Sequence, residues 1–249
     1  MREIQVMVVI LVIAFLTMGC FEEQKNYDTN IEGIWIGELI PDKGGSIGTR
    51  LFVLPDNRCY LVVSDPTSYI SERLGGYGVF NVENGLLTAS IKVYSEDGKP
   101  VGEMNIANGR IELNEERVFT AHYTSDDEYL GNGEVSLAVD DSYKMYSSLS
   151  RVAGTWGFSS ASGVEIMISI NNGSMNGVDD KGCIFNGSIS VIDNKHNLYD
   201  VNHFIITNCS EDKNGEYKGL ATLMDSNHML LVVVKTDETY GFIMHLTKQ

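Results

Sequence analysis

The chain has 249 residues, and its 34 acidic and 18 basic side chains leave a formal net charge of −16 at pH 7. A protein this acidic repels polyanions, which argues against nucleic acid and anionic membrane surfaces as partners and makes a basic protein a suitable one. The length is enough for one large or two small domains, each able to bury a hydrophobic core.

The first residues have the pattern of an export signal. Arg2 precedes an unbroken apolar run at residues 6–16, which is too short to span a bilayer and has the length of the apolar part of a signal peptide. The run ends in Leu16-Thr17-Met18-Gly19-Cys20, which resembles the lipobox of bacterial lipoproteins. The resemblance implies a signal peptide at residues 1–19, cleavage before Cys20, and acyl chains of the palmitate type on that cysteine. An uncleaved membrane anchor and an ordinary secretory signal are the alternatives.

The same resemblance bears on location. It implies two or three acyl chains on Cys20, and two are enough for stable anchoring in a membrane. Phe21 stands where an aspartate commonly retains lipoproteins in the inner membrane, so we expect an outer-membrane protein of the bacterial cell envelope. Residues 20–30 are mostly polar and are expected to form a lipidated tether.

Two similar openings indicate an internal duplication. Gly33-Ile34-Trp35-Ile36-Gly37 is followed much later by Gly154-Thr155-Trp156-Gly157, and Trp35 and Trp156 are the only tryptophans of the chain. Each opening precedes roughly a hundred residues of short apolar segments separated by turns. We therefore predict two β modules, at 31–146 and 147–249, with a structural tryptophan in each. Ser147 or Ser148 is a candidate N-cap for one helical turn before the second module.

The apolar pattern within both modules has the period of strands. Turn signals such as Asn84-Gly85, Asn132-Gly133 and Asn172-Gly173 separate the segments at short intervals. This spacing suits meandering antiparallel sheets. The fold class is therefore predicted to be all-β, as two tandem small antiparallel β-barrels or sandwiches.

Cys183 and Cys209 flank two predicted strands joined by a turn near His196. Reflecting the chain about His196 places the two cysteines opposite each other, which predicts a disulfide in an oxidising compartment. Two buried thiols are the alternative. Cys59 is left over at the start of an apolar segment, where a buried packing role is expected and an intermolecular disulfide is the alternative.

No spacing in the chain proposes an active site. Gly44-Gly45-Ser46-Ile47-Gly48 fits a hydrolase pattern, but a strand rather than a helix follows it, so a hairpin loop is expected. His196, His203 and His228 lie in the second module without metal-ligand spacing, and His203 is expected opposite Ile189 as an interior or half-exposed residue. We therefore predict no catalytic residue, no metal and no cofactor, and expect that the protein is not an enzyme.

Acidic residues cluster in short runs at Asp126-Asp127-Glu128, Asp140-Asp141 and Asp179-Asp180. None of these runs completes the alternating pattern of a calcium loop. We expect solvated loops at all three.

The G-x-W openings resemble those of lipocalin-like and avidin-like barrels, in which the tryptophan closes one end of the barrel. Residues 130–249 also resemble a group of uncharacterised bacterial envelope lipoproteins. That resemblance is carried by Ser147-Ser148-Leu149, Gly154-Thr155-Trp156, Gly182-Cys183, Asn197-Leu198-Tyr199 and Cys209. It implies an architecture and a compartment, and no catalytic residue.

The expected function is that of a membrane-anchored lipoprotein acting as a non-enzymatic binding or assembly module in the cell envelope. One alternative is a lipocalin-like carrier of a small apolar ligand inside a barrel. The other is an inhibitor of a basic enzyme such as lysozyme, which rests on analogy.

Overall fold

The computed structural model describes residues 27–64, 72–113, 116–159, 163 and 165–249. The predicted signal peptide, Cys20 and most of the tether lie outside these residues, and their roles stay predictions. In the described part the regular structure is strand, apart from a 3₁₀ turn at Asp141–Lys144 and one helical turn, α1, at Leu149–Val152. The all-β prediction is confirmed. No helix among these residues is long and apolar enough to cross a membrane.

Eight antiparallel strands form a first closed barrel, which we call barrel 1. They are β2 (Gly33–Pro41), β3 (Ile47–Val53), β4 (Arg58–Ser64), β5 (Glu72–Glu83), β6 (Leu86–Ser95), β7 (Pro100–Leu113), β8 (Arg117–Ser125) and β9 (Gly133–Val139). Each strand pairs with the next along the chain, and β9 also pairs with β2, which closes the ring. A short strand before the barrel, β1 (Tyr27–Asp28), pairs with the end of β7.

The second module is also a closed barrel of eight antiparallel strands, barrel 2. Its strands are β10 (Gly154–Ser159), β11 (Glu165–Asn171), β12 (Ser174–Asp179), β13 (Ile184–Val191), β14 (Tyr199–Thr207), β15 (Gly215–Leu223), β16 (His228–Lys235) and β17 (Gly241–Lys248). Pairing of β10 with β17 closes the ring. The structure thus contains barrels rather than sandwiches.

Alternation along single strands explains why the chain adopts this fold. In β11, Ile166, Ile168 and Ile170 are buried while the residues between them are exposed. Because successive side chains of a strand point to opposite faces, this pattern buries one face of the sheet and exposes the other. Closing the sheet into a barrel gathers the buried faces of all eight strands into one core.

The two tryptophans occupy equivalent places in the two barrels. Trp35 and Trp156 are fully buried, and each indole N–H donates a hydrogen bond of 2.8 Å to the carbonyl four residues earlier. A cation lies over each ring at 5.2 Å from its centre, Arg117 over Trp35 and Lys248 over Trp156. The two barrels thus place and contact their tryptophans in the same way.

The barrels lie side by side and point in the same direction. At the end where β2 and β10 begin, the Arg58 guanidinium is 3.2 Å from the Asp200 carboxylate. At the opposite end, the Tyr94 hydroxyl donates a hydrogen bond of 3.2 Å to the carbonyl of Glu238. We call the first end of the molecule, which holds both tryptophans, the proximal end, and the other the distal end.

Apolar side chains on the outer faces of the barrels form the contact between them. Tyr60 and Val62 of barrel 1 belong to one buried cluster with Leu230 and Val232 of barrel 2. These strands are therefore apolar on both faces, because one face fills a barrel and the other meets the neighbouring barrel. The contact makes the two barrels one packed unit.

The segment between the barrels is ordered against barrel 2. Ser148 is the N-cap residue of α1, so the predicted turn before the second module is confirmed, although the serine side chain makes no capping hydrogen bond. The Tyr143 ring stacks on the His196 ring with centres 4.1 Å apart. The amide of Asn197 donates to the Tyr143 carbonyl at 3.1 Å, which fixes the linker to the β13–β14 loop.

Candidate functional site

The interior of each barrel is filled by its own side chains. In barrel 1, the Phe119 ring makes edge contacts with Trp35 at 6.1 Å and with Phe80 at 5.8 Å, and all three are essentially without solvent exposure. In barrel 2, Trp156, Phe204 and other buried residues form one continuous cluster. Barrels of eight strands either hold a ligand or are packed by their own residues. Both barrels of this protein are packed by their own residues.

Cys183 and Cys209 form the predicted disulfide, with their Cα atoms 4.8 Å apart. The bond joins the start of β13 to the segment after β14, at the distal end of barrel 2. Both residues are partly buried beside the barrel core. The predicted disulfide is therefore confirmed, although Ile184 pairs with Thr207, one residue away from the mirror register.

Cys59 is a free cysteine buried inside barrel 1. Burial raises the pKa of its thiol, because the thiolate is poorly solvated in an apolar core. A thiol with no solvent exposure cannot reach a second chain while the barrel is folded. The packing role expected from the sequence fits this position, whereas an intermolecular disulfide does not.

His203 does not take the position that the sequence predicts. His203 does not lie opposite Ile189, because Ile189 pairs with Val201 and β-bulges shift the register on both sides of β14. It is itself an irregular residue with a φ of 49°, its side chain is 80% exposed, and its Nδ1 is 2.7 Å from Glu216. The expected interior or half-exposed position was therefore wrong, since a bulge turns the residue outward.

One group of described residues brings three metal-ligating side chains within 4.8 Å of one another, namely Asp179, Cys183 and Cys209. Its two sulfur atoms are bonded to each other, so neither is a thiolate ligand. The Asp179 carboxylate instead accepts backbone N–H bonds from Lys181 at 3.0 Å and Cys183 at 2.7 Å. This acidic residue closes the turn before the disulfide.

The G-x-S-x-G string is a hairpin connection, as expected. Pro41 ends β2, Ile47 begins β3, and the residues between them form the turn. The turn is not followed by a helix, so Ser46 lacks the backbone that a nucleophilic serine needs.

Three exposed apolar side chains form a continuous row on the outer face of barrel 2. Met167 on β11 pairs with Val178 on β12, and Val178 pairs with Ile184 on β13. Their exposed fractions are 42%, 53% and 39%. Cross-strand partners have Cβ atoms about 5 Å apart, so the three side chains make one surface rather than isolated exposed residues.

Two carboxylates border this row on its distal side. Glu165 begins β11 two residues before Met167, and Asp180 follows the end of β12 two residues after Val178; both are exposed. The Asp180 carboxylate accepts a hydrogen bond of 3.3 Å from the Glu165 amide. Their backbones remain paired, since the Asp180 amide donates to the Glu165 carbonyl at 3.0 Å. Neither side chain has an ion pair with a described residue. We call Glu165, Met167, Val178, Asp180 and Ile184 the distal patch.

The distal patch faces away from the rest of the molecule. It lies on β11, β12 and β13, whereas barrel 1 packs against β15 and β16 on the other side of the ring. The disulfide at Cys183 immediately precedes Ile184 and so holds one edge of the patch in place. Two carboxylates this close in space repel each other. A positively charged group between Glu165 and Asp180 would remove that repulsion.

Sequence reasoning identified Asp179-Asp180 as a loop but missed the distal patch. The sequence of β11 is apolar at four positions, and three of them point inward. Val178 and Ile184 lie on different strands, and only strand pairing shows that they adjoin Met167. The one signal in the sequence was Met167, an apolar residue at a position of β11 where the alternation predicts an outward-facing side chain.

The chain matches no protein-family model, and no curated protein matches it in sequence. It is similar in structure to a protein of unknown function from the DUF3598 family of Nostoc punctiforme. That likeness has 9% sequence identity and a TM-score of 0.27, and it covers 88% of this chain and 95% of the other. A TM-score this low supports no argument about function.

Proposed function

We propose that this protein is a lipid-anchored module of the bacterial cell envelope that binds a basic protein through the distal patch and is not an enzyme. The observation that carries the proposal is the apolar row Met167–Val178–Ile184 beside two carboxylates that form no ion pair with any residue the structure describes. Apolar contact supplies affinity, and the charges select a partner of opposite sign. The net charge of −16 favours the same kind of partner at longer range.

The position of the patch supports the proposal. Residues 20–30, the predicted lipidated tether, lead into barrel 1 at the proximal end, where β1 and β2 begin. The distal patch lies toward the other end, at the start of β11 and β13 and the end of β12. An anchored molecule of this shape would therefore present the patch away from the membrane. The packed interiors do not favour the alternative of a carrier with a ligand inside a barrel.

A photo-crosslinking amino acid in place of Met167, in cells of the source organism, tests this proposal. The same substitution at Ile40, which is 42% exposed near the distal end of barrel 1, is the matched control. We expect a crosslinked protein of net positive charge from position 167 and not from position 40. Its purified form should bind the wild type in a salt-sensitive manner.

Charge variants decide whether the patch is responsible. The double variant Glu165→Gln/Asp180→Asn should bind that partner about tenfold more weakly, because each lost carboxylate removes a charge contact at the edge of the interface. The variant Glu83→Gln/Glu116→Gln removes the same net charge at the proximal end and should bind like the wild type. A partner that is acidic, or one that binds all three proteins equally, would refute the proposal. An inhibitor of a basic enzyme such as lysozyme is a special case, and inhibition by the wild type but not by E165Q/D180N would identify it.

A further inference from the structure

The proximal end of barrel 1 carries the point at which the chain enters the described structure. Strand β1 pairs antiparallel with the end of β7, with Tyr27 opposite Glu112 and Asp28 opposite Ile111. The chain therefore enters β1 from the side of Leu113, the last residue of β7. Arg117 holds this entry in place, since its guanidinium is 3.1 Å from the Asp28 carboxylate.

The entry point is close to the predicted lipid attachment in sequence. Cys20 precedes Tyr27 by seven residues, and an extended chain of that length spans at most about 25 Å. If Cys20 carries the lipid, the proximal end of barrel 1 is held within that distance of the membrane surface.

Two apolar side chains project from this end. Leu113 is 51% exposed, although Ile111, two residues earlier on the same face of β7, is fully buried. Val82 is 49% exposed, although Phe80 on the same face of β5 is buried. Each strand thus continues its inward-facing apolar row beyond the closed end of the barrel, where the row emerges into solvent. We call Val82 and Leu113 the proximal lip.

We propose that the proximal lip inserts into the interfacial region of the lipid layer that holds the anchor. The inference rests on the lipid anchor of the proposed function, and it adds a second contact that fixes the direction in which barrel 1 points. Transfer of apolar side chains from water to the acyl boundary is favourable, and a short tether keeps these side chains close to that boundary. Glu83 and Glu116 are exposed next to the lip and disfavour anionic headgroups, so the surface best suited to it is a zwitterionic one.

A singly acylated protein makes the contribution of the lip measurable. In a protein of residues 20–249 a thiol reagent is directed to Cys20, because Cys59 is buried and the other two cysteines are bonded to each other. Attaching one fourteen-carbon chain to Cys20 gives only marginal membrane binding by itself. Partition into phosphatidylcholine vesicles is then compared between this protein and its variants by sedimentation.

The variant Val82→Ser/Leu113→Ser should partition about tenfold more weakly, because the added contact is lost. The variant Ile40→Ser/Val101→Ser removes two apolar residues, each 42% exposed, at the distal end of the same barrel and should partition like the wild type. Equal partition of the lip variant and the wild type would overturn the inference, and so would an equal loss in both variants. The chemical acylation makes this test independent of the proposed function, whose anchor is checked separately by the mass of the N-terminal peptide from cells.

Discussion

The disulfide offers the sharpest test of what holds barrel 2 together. We expect Cys183→Ser/Cys209→Ser to lower the free energy of unfolding of this barrel. The cysteines are 26 residues apart. In the chain-entropy relation a closed loop of that length contributes about 3.5 kcal/mol, since the bond limits the conformations of the unfolded chain. For a barrel of about a hundred residues, such a loss lowers the melting temperature by about 15 °C.

The placement of the tryptophans allows this loss to be assigned to one barrel. Each barrel contains a single buried tryptophan, so in a Trp35→Phe background the fluorescence of Trp156 reports on barrel 2 alone. Urea titrations of this background protein, with and without the cysteine substitutions, give the change in the free energy of unfolding. The effect of removing Trp35 cancels, because both proteins carry that substitution. Chemical reduction of the parent protein should give the same loss. A difference below about 1 kcal/mol would refute the entropic reasoning, because the unfolded hairpin would then already hold the two cysteines together.

Two further predictions concern pH and the contact between the barrels. Burial raises the pKa of Tyr123 and of Tyr240 to about 12 from an ordinary value of 10.0, and nearby carboxylates add to the shift. Between these two pH values the folded state keeps tyrosine protons that the unfolded state loses. The free energy of unfolding should therefore fall as pH rises from about 10 to about 12. Urea denaturation at each pH measures it, and a value that does not change with pH would contradict this. Val232→Asp places a carboxylate in the apolar contact between the barrels and should cost about 3 kcal/mol, measured by urea denaturation. Val178→Asp, at a 53% exposed position, is the control and should cost little.

The strands, the two modules and the disulfide can be predicted from the sequence alone. Alternating apolar residues separated by turn signals predict strands, because only one face of a meandering sheet needs to be buried. The repeated openings around Trp35 and Trp156 predict two copies of one module, and the matched hydrogen bonds of the indoles agree with it. The similar distances of Cys183 and Cys209 from one turn predict that they lie close enough to bond, as they do.

Strand register limits what can be read from such symmetry. Reflection about the turn predicts the correct disulfide, but the observed pairing is offset from it by one residue at Ile184 and by two at Ile189. It therefore misplaces His203, because β-bulges shift the register on both sides of β14. A bulge adds one residue to one strand and turns the following side chains to the other face. Nothing in the alternation of a single strand shows where its partner has the extra residue.

The sequence indicates a strand that is covered on both faces, but it does not show which part of the molecule covers it. The run from Met229 to Val234 is apolar at every position, which predicts a strand covered on both faces. It does not say what covers the second face. In the structure that cover is the outer surface of β4, around Tyr60 and Val62.

The sequence by itself determines the fold class, the two tandem β modules and the disulfide of this protein, since each depends on residues whose relation is set by short-range periodicity or by one turn. Only the tertiary structure decides that the modules are closed and packed barrels, that they point the same way, and which apolar residues stay exposed. Met167, Val178 and Ile184 are hydrophobic like the core residues around them, and the closing of the sheet alone places them outside. The physical reason is that burial depends on partners distant in sequence, whereas strand alternation is local.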